Sequence, residues 1–463
     1  MDAASRLIEE VRGRFGPKAA ITDRAEVEPW LTDWRGKFHG EAQAILSPAS
    51  TEEVAEIVKL AAGHRVPLVP QGGNTGMVAG ATPPADGTAL LLSLRRMNRL
   101  RSIGPGIAVA EAGVILADLH ESANETRQRF PLTLGARGSC TIGGLASTNA
   151  GGTQVLKFGT MRSLVHGLEA ILPDGSVHDG LSGLRKDNRG YNLDQLLVGA
   201  EGTLGIVTAA ALKLVPAATA RGVAWVGLSE AQRALDLLQF LQSETDRVEG
   251  FEIVPADCLG LVLKHIPGTR SPLGGQHPWQ VLIEATSERA GDDPGQLLQG
   301  LLGRALESGL IDDATVAANE TQAEAFWRIR DSISESERAD GPSLAHDISV
   351  PVADMPRFIT TTAAEVEHAF PGTIASGFGH LGDGNVHFHV RGKGVLGHEP
   401  EISHVVYDLV TLAGGSISAE HGIGQMKIDE LERLGPPARL HAMRAIKHAL
   451  DPLGIMNPGK LVR

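Results

Sequence analysis

The sequence predicts a protein of two domains that mixes helices with strands. Three observations point there. The chain has 463 residues, enough for two domains. Its first part carries short strand-like runs that end in glycine-rich turns. Beyond Pro216 the composition changes to longer helical patterns that alternate with strands, which places a boundary there.

The elements run in order along the chain. MDAASRLIEEVRGRFG reads as an amphipathic helix. STEEVAEIVKLAAGH is a helix that Ser50 or Thr51 can cap, with acidic residues in its first turn. Val66, Leu68 and Val69 form a short strand before a turn at Gly72 and Gly73. LEAILPDGSVHDG reads as a hairpin turning at Pro173-Asp174-Gly175. LLVGAEGTLGIVTAAALKLVP starts helix-like and ends strand-like. SEAQRALDLLQFLQSE and EPEISHVVYDLVTLAGG carry helical patterns, and ARLHAMRAIKHAL is an amphipathic helix stopped near Asp451-Pro452.

Composition excludes several classes. There are 42 Lys plus Arg against 55 Asp plus Glu, a net charge of −13 that disfavours nucleic acid and anionic membranes. The two cysteines, Cys140 and Cys258, are far apart and form no CxxC pair, so a disulfide framework and a cysteine-rich metal site are out. No apolar run is long enough to span a bilayer. The N-terminus lacks a signal peptide's apolar stretch, and its mixed charges do not suit a transit peptide. A cytoplasmic location is expected.

Two glycine-rich segments carry the first chemistry. PQGGNTGMVAG, residues 70 to 80, is neither a Walker A loop nor a Rossmann fingerprint. GARGSCTIGGLASTNAGGTQVLKFG, residues 135 to 159, threads Ser, Thr and Asn through its glycines. Two such loops suit a large ligand lying against backbone, because no side chain blocks its approach. With VGAEGTLGIVT and the closing DPLGIMNPGKL, they resemble the FAD-binding domain of the vanillyl-alcohol-oxidase superfamily over nearly the whole chain.

That resemblance implies an α+β fold: an FAD-binding domain over residues 1–216, a substrate and metal-binding domain over 217–424, and a helical segment over 425–463 that returns to the first. It implies that Pro70, Gly72, Gly73, Asn74, Thr75, Gly76, Met77 and Val78 hold the FAD pyrophosphate. Gly135, Ser139, Thr141, Gly143, Gly144, Asn149, Gly151 and Gly152 would line the flavin. Glu201, Gly202 and Ile206 would contact the adenosine half, and Asn457 would close the site. Residues 71 to 80 contain no His or Cys, so the FAD is expected to be non-covalent.

GFGHLGDGNVHFHV, residues 377 to 390, contains a literal G-x-G-x-x-G. A dinucleotide reading needs a helix after it. Gly382 instead leads into a turn at Asp383-Gly384 and an alternating strand, so the match is accidental. In that strand His387 and His389 share one face, and the turn can fold His380 back beside His387. Such imidazoles suit zinc or a similar divalent ion. Downstream, ISAEHGIG places Glu420-His421 between small residues. Together these stretches resemble the FAD-dependent D-2-hydroxyacid dehydrogenases, above all the D-2-hydroxyglutarate branch. The resemblance makes His380, His387 and Glu420 metal ligands and His421 the catalytic base. Asn385 would bind substrate, and His389 is expected to point into the substrate pocket.

The same resemblance assigns Arg330 and Ser334 to the substrate's carboxylate. On one helix, i and i+4 share a face. A family lysine is Ala345 here, and His346 next to it points to the other side of a strand. The expected reaction is oxidation of D-2-hydroxyglutarate to 2-oxoglutarate, with D-lactate or another D-2-hydroxy acid as the alternative. A zinc hydrolase is the competitor from a different class, and a non-catalytic flavin-binding protein a third reading. Expected partners are an electron acceptor, such as an electron-transfer flavoprotein or a quinone, and a second copy in a homodimer.

Overall fold

The structure is a computed structural model that describes residues 2–182, 184 and 186–463. The chain divides into two compact units. The first comprises Met1–Gly152, Phe158–Pro216 and Glu420–Arg463, and the second comprises Thr153–Lys157 and Ala217–Ala419. No helix among the described residues is long and apolar enough to cross a membrane.

In the first unit, Ser50 caps helix Thr51–His64 by accepting from Glu53 N, and Glu52 and Glu53 lie in its first turn. The helix leads into strand Leu68–Gln71, which pairs in parallel with Leu90–Ser93. Among the described residues this sheet is four-stranded, completed by Ile45–Leu46 and Ala20–Ile21. A five-stranded antiparallel sheet runs Leu100–Gly104, Ile107–Glu111, Ile206–Lys213, Val165–Ile171 and Val177–Asp179. The last two of these strands form the hairpin expected around Pro173-Asp174-Gly175. Small residues make the central strand Ile206–Lys213 thin enough to bury along nearly its whole length.

The second unit is built on a seven-stranded antiparallel sheet. Its order is Asp313–Val316, Ala220–Leu228, Trp279–Ser287, Val248–Pro255, Ile374–His380, Asn385–Arg391 and Ser343–Ser349. Val386, Phe388 and Val390 are fully buried on one face. That face is closed by helix Met355–Ala369, whose Ile359 packs so tightly that a Cβ on Gly377 would lie 2.7 Å from its Cγ2. The literal G-x-G-x-x-G therefore straddles a hairpin: Gly377 and Gly379 are in a strand, and Gly382 is in the turn.

One local expectation needs correcting. Arg330 and Ser334 do not sit on one helix. Helix Glu320–Asp331 ends at Ser332, and a second helix, Ile333–Asp340, begins after it. Asp331 and Ser332 have short polar side chains that compete for backbone groups, which suits them to a junction. Ser334 is exposed, whereas the Arg330 side chain is only 13% exposed.

Candidate functional site

The glycine-rich loops of the first unit seal against each other. A Cβ on Gly72 would lie 2.2 Å from Thr141 Oγ1, and one on Gly73 would lie 1.9 Å from the Ser139 carbonyl oxygen. Thr141 also caps helix Ile142–Thr148, accepting from Gly144 N at 3.4 Å. Gly202 is held against Pro70, where a Cβ would meet Cγ at 2.5 Å. Gly143 is pressed on Ala112 and Gly152 on Thr133, so these two serve packing. Gly76 and Gly135 have nothing within 4 Å of a Cβ, and they form the open edge of the two loops. A glycine-rich edge of this kind fits a cofactor lying against backbone.

Other expected cofactor residues fall differently. Pro70 belongs to the largely buried strand Leu68–Gln71, and Asn74 donates from Nδ2 to the Thr32 carbonyl at 2.9 Å. Thr75 and Met77 are half-buried on either side of Gly76, and Val78 is buried. Asn149 adopts φ 52 after helix Ile142–Thr148, and its Oδ1 accepts from Arg162 N at 2.9 Å. Gly151 is buried beside Gly152. Ile206 is a core residue, 1% exposed, in one cluster with Leu68 and Leu90.

Glu201 is engaged within the first unit. Its carboxylate accepts from Ile423 N at 2.7 Å and Gly424 N at 2.8 Å, although burial pushes its pKa up. The side chain thereby anchors the returning segment. Asn457 completes this strap. It donates from Nδ2 to the carbonyls of Gly80 at 3.0 Å and Glu201 at 2.6 Å, and its backbone N donates to Leu68 O at 2.9 Å.

The second unit presents a polar sheet face. Directly paired residues share a face in an antiparallel sheet. Register therefore aligns Phe378, His387 and Asp347 in one row, and Ser376, His389 and Ala345 in the next. Glu252 pairs with His380. The rings of His380 and His387 stand 5.4 Å apart between centroids, and each offers a ring nitrogen within 4.8 Å of the other's. Burial, then the charges of Arg330 and His380, pushes the His387 pKa well down and favours a neutral ring. A neutral imidazole is what a divalent ion takes as a ligand, and His387 meets that requirement. Glu420 and His421 follow Ala419, the last residue of the second unit, along the chain.

Several groups surround this pair. Glu252 is fully buried, joined to His380 Nδ1 at 2.5 Å and to Arg330 Nε at 2.8 Å. Burial pushes its pKa up, but the Arg330 charge and the bonds from Arg330 and His380 win and hold it at about 2. Asn385 is buried with Oδ1 lacking a hydrogen bond. His389 is buried against Glu337, which bonds its Nδ1. Arg391, two residues on, bonds Asp257 and Ser376. Ala345 lies directly opposite His389. His346 points to the other face and bonds Phe388 O and Ser403 Oγ, both at 3.1 Å. Sequence reading missed Glu252, Glu337 and Arg391. The signal for Glu252 was an acid inside the otherwise apolar FEIV, where a buried charge demands a partner.

Comparison with known proteins supplies the family. Residues 42–180 match the FAD binding domain, and residues 217–461 match the C-terminal domain of the FAD linked oxidases. The chain is 37% identical over 456 residues to the mitochondrial D-2-hydroxyglutarate dehydrogenase of Bos taurus, covering 97% of this chain and 82% of that protein. The mitochondrial D-2-hydroxyglutarate dehydrogenase of Arabidopsis thaliana is 36% identical, with 97% and 80% covered. In fold, the chain is similar to 4-ethylphenol oxidase from Gulosibacter chungangensis, with a TM-score of 0.70 at 19% identity over 99% of this chain and 97% of that one.

Fold and cofactor loops define an FAD-dependent oxidoreductase with the vanillyl-alcohol-oxidase architecture. More narrowly, the chain belongs to the FAD linked oxidases, in the group of FAD-dependent D-2-hydroxyacid dehydrogenases. The zinc-hydrolase reading falls with that membership. The expected cytoplasmic location is also corrected, since both relatives are mitochondrial enzymes and point to that compartment. An acidic composition without a membrane span suits either compartment, so those features had no power to separate them.

Proposed function

We propose that the chain oxidises D-2-hydroxyglutarate to 2-oxoglutarate, using non-covalent FAD and a divalent ion of the zinc type. The observation that carries the reading is the polar sheet face, where His380 and His387 stand together with Arg330 beside them. His380 and His387, with Glu420, would hold the ion. When bound, the ion would supply the Lewis acidity that lowers the hydroxyl pKa of a 2-hydroxy acid, and FAD would supply the hydride acceptor. His421 takes the hydroxyl proton at a ring nitrogen, a task suited to a group whose ordinary pKa is near 6.5. Arg330 orients the carboxylate through N–H groups other than the Nε committed to Glu252. Ser334, being exposed, contributes less than the sequence pattern implied.

Ala345 favours a second reading, a monocarboxylate such as D-lactate, because no amine extends from that row of the face. Electrons would pass on to an electron-transfer flavoprotein or a quinone, and the active form would be a homodimer.

The test is an anaerobic absorbance titration with D-2-hydroxyglutarate and D-lactate, with and without a chelator. Bleaching of the flavin band by D-2-hydroxyglutarate, abolished by chelator, is expected. Bleaching by D-lactate alone would replace the leading substrate, and bleaching that ignores the chelator would remove the metal. His421→Ala is expected to slow bleaching by about 10²- to 10⁴-fold while FAD content is retained.

A further inference from the structure

One buried carboxylate joins the histidine pair to the arginine. Glu252 Oε1 meets His380 Nδ1 at 2.5 Å, and Oε2 accepts from Arg330 Nε at 2.8 Å. Arg330 Nη2 approaches the same ring's Nε2 at 3.4 Å. The Glu252 side chain is 0% exposed and sits directly across from His380 in the sheet register. Nothing in the proposed reaction assigns this residue a role.

We propose that Glu252 is a positioning residue that sets His380 for metal binding and keeps Arg330 compatible with a cation beside it. The inference rests on the reading of His380 as a ligand.

The tautomer is set by the hydrogen bonds. An ionised carboxylate only accepts, so the His380 proton belongs on Nδ1. Arg330 offers only donors to Nε2, which agrees with a lone pair there. A lone pair on Nε2 is what a divalent ion requires, and carboxylate–histidine pairs orient metal ligands in this way.

The orientation is set by the sheet. Glu252 lies on a central strand with neighbours on both sides, so its carboxylate has little freedom to follow a moving ring. The ring of His380 is fixed by a rigid element rather than by a loop.

The charge comes from Arg330, which carries a permanent positive charge within hydrogen-bond range of His380. A divalent cation on that ring would be repelled by it. Glu252 contacts both groups and offsets the repulsion at short range.

The test measures zinc affinity of the FAD-loaded enzyme by competition with a chromophoric chelator, with zinc alone as the probe. Glu252→Gln is expected to bind zinc about 10- to 100-fold more weakly than the unaltered protein. Because Gln also removes the carboxylate that Arg330 Nε bonds, the same comparison is made between Arg330→Met and the double variant Arg330→Met/Glu252→Gln. That pair removes the ion pair together, and the double variant is expected to bind about tenfold more weakly than the single one. FAD absorbance and melting temperature establish that each protein is folded. Equal zinc affinity with and without Glu252 would overturn the inference and leave the ligand reading intact. No zinc binding by the unaltered protein would remove the ligand reading, and this inference with it.

Discussion

Ala345 is the position on the polar sheet face where one substitution separates the two proposed substrates. It is paired directly with His389, one row away from His387 and Asp347. A side chain there extends from the same face as the histidines. Ala345→Lys would add an amine, and a charge-assisted contact to a second carboxylate is worth about 1.5–3 kcal/mol. We expect kcat/KM for D-2-hydroxyglutarate to rise about tenfold or more relative to D-lactate, read by steady-state kinetics on both acids. An unchanged ratio would mean that this row does not meet the distal end of the substrate. The neighbouring Glu337 competes for such an amine, so Ala345→Lys/Glu337→Gln is the variant in which the ratio should move furthest.

At the scale of elements, the cofactor loops separate packing from ligand contact. Gly73→Ala drives a methyl into the Ser139 carbonyl, which an undistorted loop cannot accommodate. It should destabilise the FAD-free protein by roughly 1–3 kcal/mol in a denaturant melt. Gly76→Ala meets nothing within 4 Å, so the FAD-free protein should melt as the parent does. Its FAD affinity should nevertheless fall, as read by flavin fluorescence titration. Unchanged affinity would show that Gly76 does not face the cofactor.

These elements also mark what was legible in the sequence. Capped helices and strands announced by turns were readable because their signals are local: Ser50, Pro173-Asp174-Gly175 and the alternation over 386–390 each act within a few residues. His380 and His387 were readable because one tight turn joins them. Glu252 and Glu337 were not, since their partners lie more than fifty residues away and only tertiary packing brings them together. The anchoring bonds of Glu201 were hidden for the same reason. Its partners, Ile423 and Gly424, come from a segment whose return is a tertiary fact.

For the whole molecule, pH dependence offers a readout of a buried base. Lys460 is 1% exposed, and burial lowers its pKa to about 8, against attraction from Asp86 and Glu201. The unfolded chain keeps this proton up to about pH 10.4. Between those values the unfolded state binds more protons than the folded one, so stability rises with pH across the window. Relative to Lys460→Met, the parent should gain roughly 2 kcal/mol between about pH 7.5 and 9.5 in chemical melts. A parallel pH profile in the two proteins would place Lys460 in contact with water.

The strap at Asn457 has a consequence for biosynthesis. Strand Leu68–Gln71 exchanges backbone hydrogen bonds with Ile455 and Asn457 through Leu68. A ribosome delivers those partners long after Leu68 itself has emerged. The second unit is nearly continuous over Ala217–Ala419 and can complete most of its sheet first. In the first unit, Leu68 must wait for these backbone partners until the returning segment arrives. A nascent chain stalled before that point would expose strand Leu68–Gln71 to whatever chaperone or neighbour meets it.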